Sequence, residues 1–407
     1  MATTNPSLPP GEYVDPAQAQ GAQIPLQSFT LPDFPPQARG LKALTLTSDI
    51  KLDEYQKLLS EPYTIPPLPS SIESLTLELF SLGYPPGFLS ELADKLPNLK
   101  SVVVYSQLFG GISTESLLDS IEFFRRVPGL RALHLLDVFA RQSFFTGIAP
   151  YLRHEPGEGG RRGLMFLEIN YTVQHTDAEF LPKIQAAELP ALIGPGLITC
   201  AFNISEADVT DDPEDPTNAA KRVEEEDKGE PDNAMEKAQE DGVVAFNKTL
   251  APGLVKALAD EDKGPRNLKV LNTTLFTLTV PSLRKVVEKV RGVMVLSVTL
   301  EVDDFEKFRT QLVELLGECE SLEQVEVVAN PSLQFYMAIN NTRANALEKA
   351  FPSKTDMEGL AEKCKNLASF KANILRSNSL GQIEWEKKDG EWERTVKGHL
   401  KGVIKAS

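Results

Sequence analysis

The chain has 407 residues and a net charge of −16, with 41% hydrophobic and 25% charged residues, the balance of a soluble globular protein. The acidic balance argues against nucleic acid or an anionic membrane as the main partner. No apolar run approaches the roughly 18 residues of a membrane span, and three scattered cysteines, Cys200, Cys319 and Cys364, suit neither a disulfide framework nor a zinc site.

The first ten residues, MATTNPSLPP, carry no basic region followed by an apolar one, so no secretory signal is expected. With so few cysteines, an intracellular, reducing location, cytoplasmic or nuclear, is expected. The Asn-x-Ser/Thr triplets at Asn170 and Asn272 are then coincidental. Residues 1–39 are rich in Pro, Gln and Ala and predict a largely disordered leader, because proline removes donors and fixes φ.

From residue 40 a six-residue pattern recurs: apolar, two residues, apolar, one residue, apolar. Matches or near-matches begin at Leu41, Ile72, Leu99, Leu130, Leu164, Leu197, Leu268, Val293, Leu322 and Leu367. Chance alone gives about 0.07 such matches per position, so one match is uninformative. Order and punctuation carry the signal. The residue before each start is Gly40, Ser71, Asn98, Gly129, Gly163, Gly196, Asn267, Gly292, Ser321 or Asn366. Gly and Asn reach the left-handed conformation that ends a helix, and Ser suits a turn.

Each pattern predicts a strand whose apolar residues face a core and whose intervening residues face away. In the third, SVVVY, Val102 and Val104 are the core pair, while Val103 and Tyr105 face outward. Helical patterns fill the intervals. Residues 114–127 place Leu117, Leu118, Ile121 and Phe124 on one face. Residues 281–290 open with Pro281 at the first helical position. Residues 303–318 place Phe305, Phe308, Leu312 and Leu315 together, capped by Asp303 or Asp304.

Residues 206–241 hold fifteen acidic and four basic side chains, a net −11 of the chain's −16. With almost no apolar content the segment cannot offset its ordering entropy and is expected to be a disordered insertion. Removing its 36 residues from the 71 that separate Leu197 from Leu268 leaves an ordinary interval. The insertion therefore sits inside one repeat and is no boundary between domains. It has two readings, a tolerated loop or an element that recruits a basic partner or masks a surface.

Residues 383–396, IEWEKKDGEWERTV, alternate around Asp389-Gly390, a hairpin signal. Ile383, Trp385, Lys387, Trp392, Arg394 and Val396 share one face; Glu384, Glu386, Glu391 and Glu393 share the other. A hairpin capping the open apolar end of a repeat stack, or a partner-binding aromatic patch, both fit.

A strand and a helix every 25–35 residues imply an α/β, right-handed parallel stack. Over residues 40–375 the chain resembles the leucine-rich repeat family, in its irregular ribonuclease-inhibitor-like and F-box-associated form. The resemblance implies a solenoid, or horseshoe, of about ten repeats, with a concave parallel sheet, convex helices and a C-terminal capping β-hairpin over 376–407. The family's usual Asn, three residues after the last apolar position, is mostly replaced: Asp49, Phe80, Gln107, Val138, Thr172, Ser205, Phe276, Glu301, Asn330 and Leu375 stand there. Only Asp49, Asn330, Ser205 and Thr172 are expected to take its backbone-bonding role.

No zincin, phosphate-loop or nucleophile-elbow motif is present. GEGGRRG at 157–163 precedes a strand, not a helix, and is expected to be a loop. The histidines His134, His154, His175 and His399 lack ligand spacing. No catalysis, cofactor or metal is expected. Tyr105, His134, Leu136, Phe166, Glu168, Asn170 and Asn203 fall on the outward positions of successive strands and form the candidate surface for a protein partner. That face could equally be solvated or covered by the leader. The expected role is a non-enzymatic interaction scaffold. The alternative that the resemblance suggests is the substrate-recognition subunit of an F-box-type ubiquitin ligase, although no F-box pattern is evident.

Overall fold

In a computed structural model of the protein, the described residues are 21–154, 163–173, 184–206, 248–331, 349–374 and 382–397. Among these residues thirteen strands are hydrogen-bonded in chain order, as an open sheet of mostly parallel strands. All ten predicted strands are present. They are β2 (Ala43–Ser48), β3 (Ser74–Glu78), β4 (Ser101–Phe109), β5 (Ala132–Ala140), β6 (Phe166–Val173), β7 (Thr199–Glu206), β8 (Val270–Leu278), β9 (Val295–Val302), β10 (Gln324–Pro331) and β11 (Ser369–Ile374). Each begins two residues after its repeat start, so the turn residue and the first apolar anchor close the preceding loop before the strand pairs.

The chain divides into two compact units, residues 1–166 and 167–407. The division does not fall at the acidic insertion. That insertion, apart from Glu206 at the end of β7, lies outside the described residues, as do residues 1–20, 155–162 and the His175 and His399 positions.

In the first unit β1 (Gly21–Leu26) pairs parallel with β2, ahead of the predicted first repeat. The leader reading therefore needs correction over 21–39. IPLQSFTL supplies three apolar anchors, and Leu26, Phe29 and Leu31 are buried. Pro25 is tolerated because β1 is an edge strand, where one side needs no donor. Parallel pairing then runs in register through β5. Four helices follow their strands: α1 (Leu52–Leu58), α2 (Phe88–Lys95), α3 (Thr114–Arg126) and α4 (Phe144–Leu152).

The core of this unit is aromatic. Phe29 meets Tyr55, Phe80, Tyr84 and Phe88 at ring separations of 5.6–6.4 Å, and Phe109 meets Phe123, Phe124 and Phe144 at 5.5–6.5 Å. Each such ring buries a large apolar area.

The predicted face of α3 is corrected. Leu118 is 60% exposed, and Leu117 and Ile121 are half-buried, whereas Ser116, Asp119, Ser120 and Phe123 are buried with Phe124. Polar anchors turn the helix. The Asp119 carboxylate accepts from the backbone N–H of Leu89 at 2.9 Å and of Ser90 at 3.1 Å, capping the start of α2. Ser116 donates to the Tyr84 carbonyl at 3.1 Å. On the other flank Ile121 lies against Gly147 of α4, where a Cβ would meet its Cδ1 at 2.7 Å. A helix held sideways by both neighbours does not present the face that its apolar spacing alone selects.

The second unit repeats the scheme with α5 (Val280–Val287), α6 (Phe305–Leu316) and α7 (Lys354–Lys363). Residues 248–258 are helical ahead of β8. Phe305, Phe308, Leu312 and Leu315 of α6 are all buried, and Asp304 is its cap, accepting from Lys307 N–H at 2.8 Å. In α5 the cap is Thr279, so Pro281 occupies the second helical position rather than the first. Parallel pairing runs from β7 to β11. The final hairpin, β12 (Gln382–Lys388) and β13 (Glu391–Lys397), then pairs antiparallel against β11.

The hairpin turns at Asp389-Gly390, both at positive φ (52° and 89°), the conformation a two-residue hairpin turn requires. Its register pairs Ile383 with Val396, Trp385 with Arg394 and Lys387 with Trp392, as the alternation predicts. Ile383, Trp385 and Trp392 are buried, and Trp385 Nε1 donates to the Pro352 carbonyl at 3.1 Å. Antiparallel pairing lets a tight turn end the parallel ladder without another crossover helix. All three cysteines are free and buried. Among the described residues no helix is long and apolar enough to cross a membrane.

Candidate functional site

The parallel register of the first unit aligns its outward residues in rows. Gln23, Thr45, Thr76, Val103 and His134 form one row across β1–β5; Pro25, Thr47, Glu78, Tyr105 and Leu136 form the next. In-register neighbours in a sheet stand roughly 5 Å apart, so each row is a near-continuous strip of side chains. No lysine or arginine occupies either row.

Tyr105 is 38% exposed, and His134, Leu136 and Phe166 are half-buried. Val103 corrects an expectation: it lies on the outward face but is only 8% exposed. Its register neighbours are Thr76 on β3 and His134 on β5.

Beyond these rows the strands bend together. Leu79, Ser106 and Asp137, which follow Glu78, Tyr105 and Leu136, all have positive φ, at 63°, 44° and 53°. On β4 and β5 the register resumes with Gln107 opposite Val138, so Ser106 and Asp137 are extra residues in otherwise alternating strands. Left-handed residues at matching positions expose what precedes or occupies the bend. Leu79 is 50% exposed, and its backbone N–H donates to the Tyr105 carbonyl at 3.1 Å.

The extra residue also returns Gln107 to the core side, which corrects its expected lack of a role. Gln107 Nε2 donates to the carbonyls of Leu77 at 2.9 Å and Tyr105 at 3.3 Å, and Oε1 accepts from the Tyr84 hydroxyl at 2.7 Å. This is the backbone-bonding role that the family resemblance assigns to Asn at that place. Asn330 is buried and donates to the Thr277 hydroxyl at 3.2 Å instead. Asp49 is exposed, and its backbone N–H donates to the Leu26 carbonyl at 2.8 Å.

Glu78 is the residue that sequence reasoning passed over. It stands in the same row as Tyr105, one repeat earlier, half-buried, and accepts a hydrogen bond from the Thr47 hydroxyl at 3.0 Å. Its position one residue after the last apolar anchor of its repeat, the same as that of Tyr105, was the available signal.

In the second unit Glu168 and Asn170 lie on β6 and Asn203 on β7, each half-buried. A polar row runs from Asn272 through Ser297, Glu326, Lys371 and Glu384. Glu384 is buried there and pairs with Lys371 at 3.0 Å.

Among the described residues no three His, Cys, Asp or Glu side chains come together to hold a metal ion. No family model matches the chain, and no curated protein is similar to it. Among solved structures it is similar to the leucine-rich repeat-containing protein LegL7 from Legionella pneumophila, with 13% identity, a TM-score of 0.35, and coverage of 87% of this chain and 91% of that one. The chain's own succession of parallel strands, each opened by an apolar anchor and joined mostly through helices, makes its fold leucine-rich-repeat-like.

Proposed function

We propose that the protein is a non-enzymatic interaction scaffold that binds a protein partner through the outward face of its sheet. The observation that carries this reading is Tyr105, a 38% exposed aromatic aligned with Leu136 on a face that also presents the polar side chains of Thr45, Thr47, Thr76, Glu78 and His134. Aromatic anchors amid polar groups are the usual energetic centre of a protein interface. The proposed contact set in the first unit is Tyr105, His134, Leu136 and Phe166; Glu168, Asn170 and Asn203 are the proposed contacts of the second. The acidic segment 206–241 follows the β7 position of Asn203 in the chain, and its charge suits a basic partner.

The F-box-type alternative has no observation in its favour. Ahead of β2 the described residues hold a strand and one short 3-10 turn, Pro36–Gly40, rather than a compact helical module. Affinity purification from the native cell, with the full chain and with residues 206–241 deleted, tests the scaffold reading. It predicts a stoichiometric protein partner retained by the full chain. Recovery of a ligase core subunit would favour the alternative, and a chain that retains no protein would contradict the scaffold reading.

A further inference from the structure

We propose that the Glu78–Tyr105 pair is a subsite for an arginine side chain of the partner. The proposal rests on the scaffold reading above and names the chemistry that the face selects. Glu78 and Tyr105 are register partners on β3 and β4, so carboxylate and ring stand side by side. The Glu78 carboxylate has one hydrogen bond, from the neutral Thr47 hydroxyl, and no lysine or arginine partner among the described residues. Glu73 and Glu122, half-buried in the same unit, are by contrast matched within the chain, Glu73 by Lys42 at 2.9 Å and Lys100 at 2.8 Å and Glu122 by Arg125 and Arg126.

A carboxylate that keeps acceptor capacity beside a tyrosine 38% exposed fits a guanidinium, which pairs in plane with a carboxylate and stacks on an aromatic ring. A lysine ammonium can make the first contact but not the planar second one. The apolar stem of the arginine has Leu79, 50% exposed, and Leu136 to lie against.

The platform is held from below. Tyr105 carbonyl accepts from Leu79 N–H and from the buried Gln107 amide, so the bend that presents the ring is fixed in the unbound chain. A preformed site loses less ordering entropy on binding.

The test selects a displayed library of random nonapeptides on the full-length chain. The tightest peptide is then synthesised with its arginines intact, changed to lysine, or changed to citrulline. Affinities are measured for the wild-type chain, for Glu78→Gln and Tyr105→Leu, and for the control Glu301→Gln. Gln at position 78 can still accept from Thr47, so the local fold is retained.

The expected result is an arginine-bearing peptide whose affinity falls about tenfold with citrulline and about tenfold with Glu78→Gln. The two changes together should cost little more than one, and Glu301→Gln should cost nothing. Selected peptides without arginine, or affinity unmoved by Glu78→Gln while Tyr105→Leu weakens it, would overturn the subsite and leave the scaffold reading standing. Binding indifferent to Glu78→Gln and Tyr105→Leu alike, or a library that yields no binder, would overturn both.

Discussion

Tyr84 donates its phenolic hydrogen to Oε1 of Gln107 over 2.7 Å, with both side chains buried. The pair ties the segment that enters α2 to the bend in β4, and through Gln107 Nε2 to the carbonyls of Leu77 and Tyr105. Gln107→Leu leaves the Tyr84 hydroxyl and two carbonyls without this partner. It should destabilise the protein by about 3 kcal/mol in urea unfolding, since each buried polar group left unpaired costs roughly 1–3 kcal/mol. Adding Tyr84→Phe should recover about 1 kcal/mol. An additive double variant would show that the pair is not coupled.

Asp119 links two helices by capping one from the other. Asp119→Ala removes the acceptor of Leu89 and Ser90 N–H at the positive end of the α2 dipole. A loss of about 2 kcal/mol is expected, at the upper end of the range for a cap. Asp119→Asn, which keeps an acceptor oxygen, should lose about half as much. Equal losses in thermal unfolding would mean that charge rather than hydrogen bonding dominates.

These two anchors mark the limit of what sequence patterns reveal. Repeat starts were legible because a strand needs apolar anchors at fixed spacing and a turn residue before them. Every such start yields a strand two residues on. The hairpin was legible because Asp-Gly admits the positive φ of its turn. Strand β1 was not, because Pro25 and the proline-rich residues around it read as a leader until β2 supplies a pairing edge. Nor was the buried face of α3, which Asp119 and Ser116 set through contacts with residues about 30 positions earlier. Of the candidate surface, Tyr105 was legible from alternation. Glu78 and the matched bends at Leu79, Ser106 and Asp137 emerge only when neighbouring strands are aligned.

Thr273 occupies a core position of β8 that is apolar in the other repeats. It is fully buried, and its hydroxyl has no hydrogen-bond partner. Thr273→Val keeps the branched shape and removes the unpaired group. It should stabilise the second unit by about 1 kcal/mol, raising the denaturant midpoint without changing the slope. A lower midpoint would mean that the hydroxyl is engaged.

Glu122 of α3 is flanked by Arg125 and Arg126, whose guanidiniums hold its carboxyl down to about 2, with the hydrogen bond from Arg125 the largest cause. A depressed folded-state value means stability that is present above the ordinary value near 4.5 and is lost as pH falls toward about 2. Arg125 is half exposed, so screening limits the contribution to roughly 1 kcal/mol. Glu122→Gln should therefore be less stable than the wild type at pH 7, and the gap should close between pH 4.5 and 2. A gap that persists at pH 2 would place the effect in packing instead.

Partner binding at the outward sheet face of the first unit is the core of the proposed function. Its most direct test is the affinity of the purified partner, by isothermal titration, for the wild-type chain and for the combined Tyr105→Ala, His134→Ala and Phe166→Ala variant. Binding on this face predicts a loss of at least about a hundredfold, roughly 1 kcal/mol for each anchor removed, with the unfolding midpoint little changed. An unchanged affinity in a folded variant would contradict it.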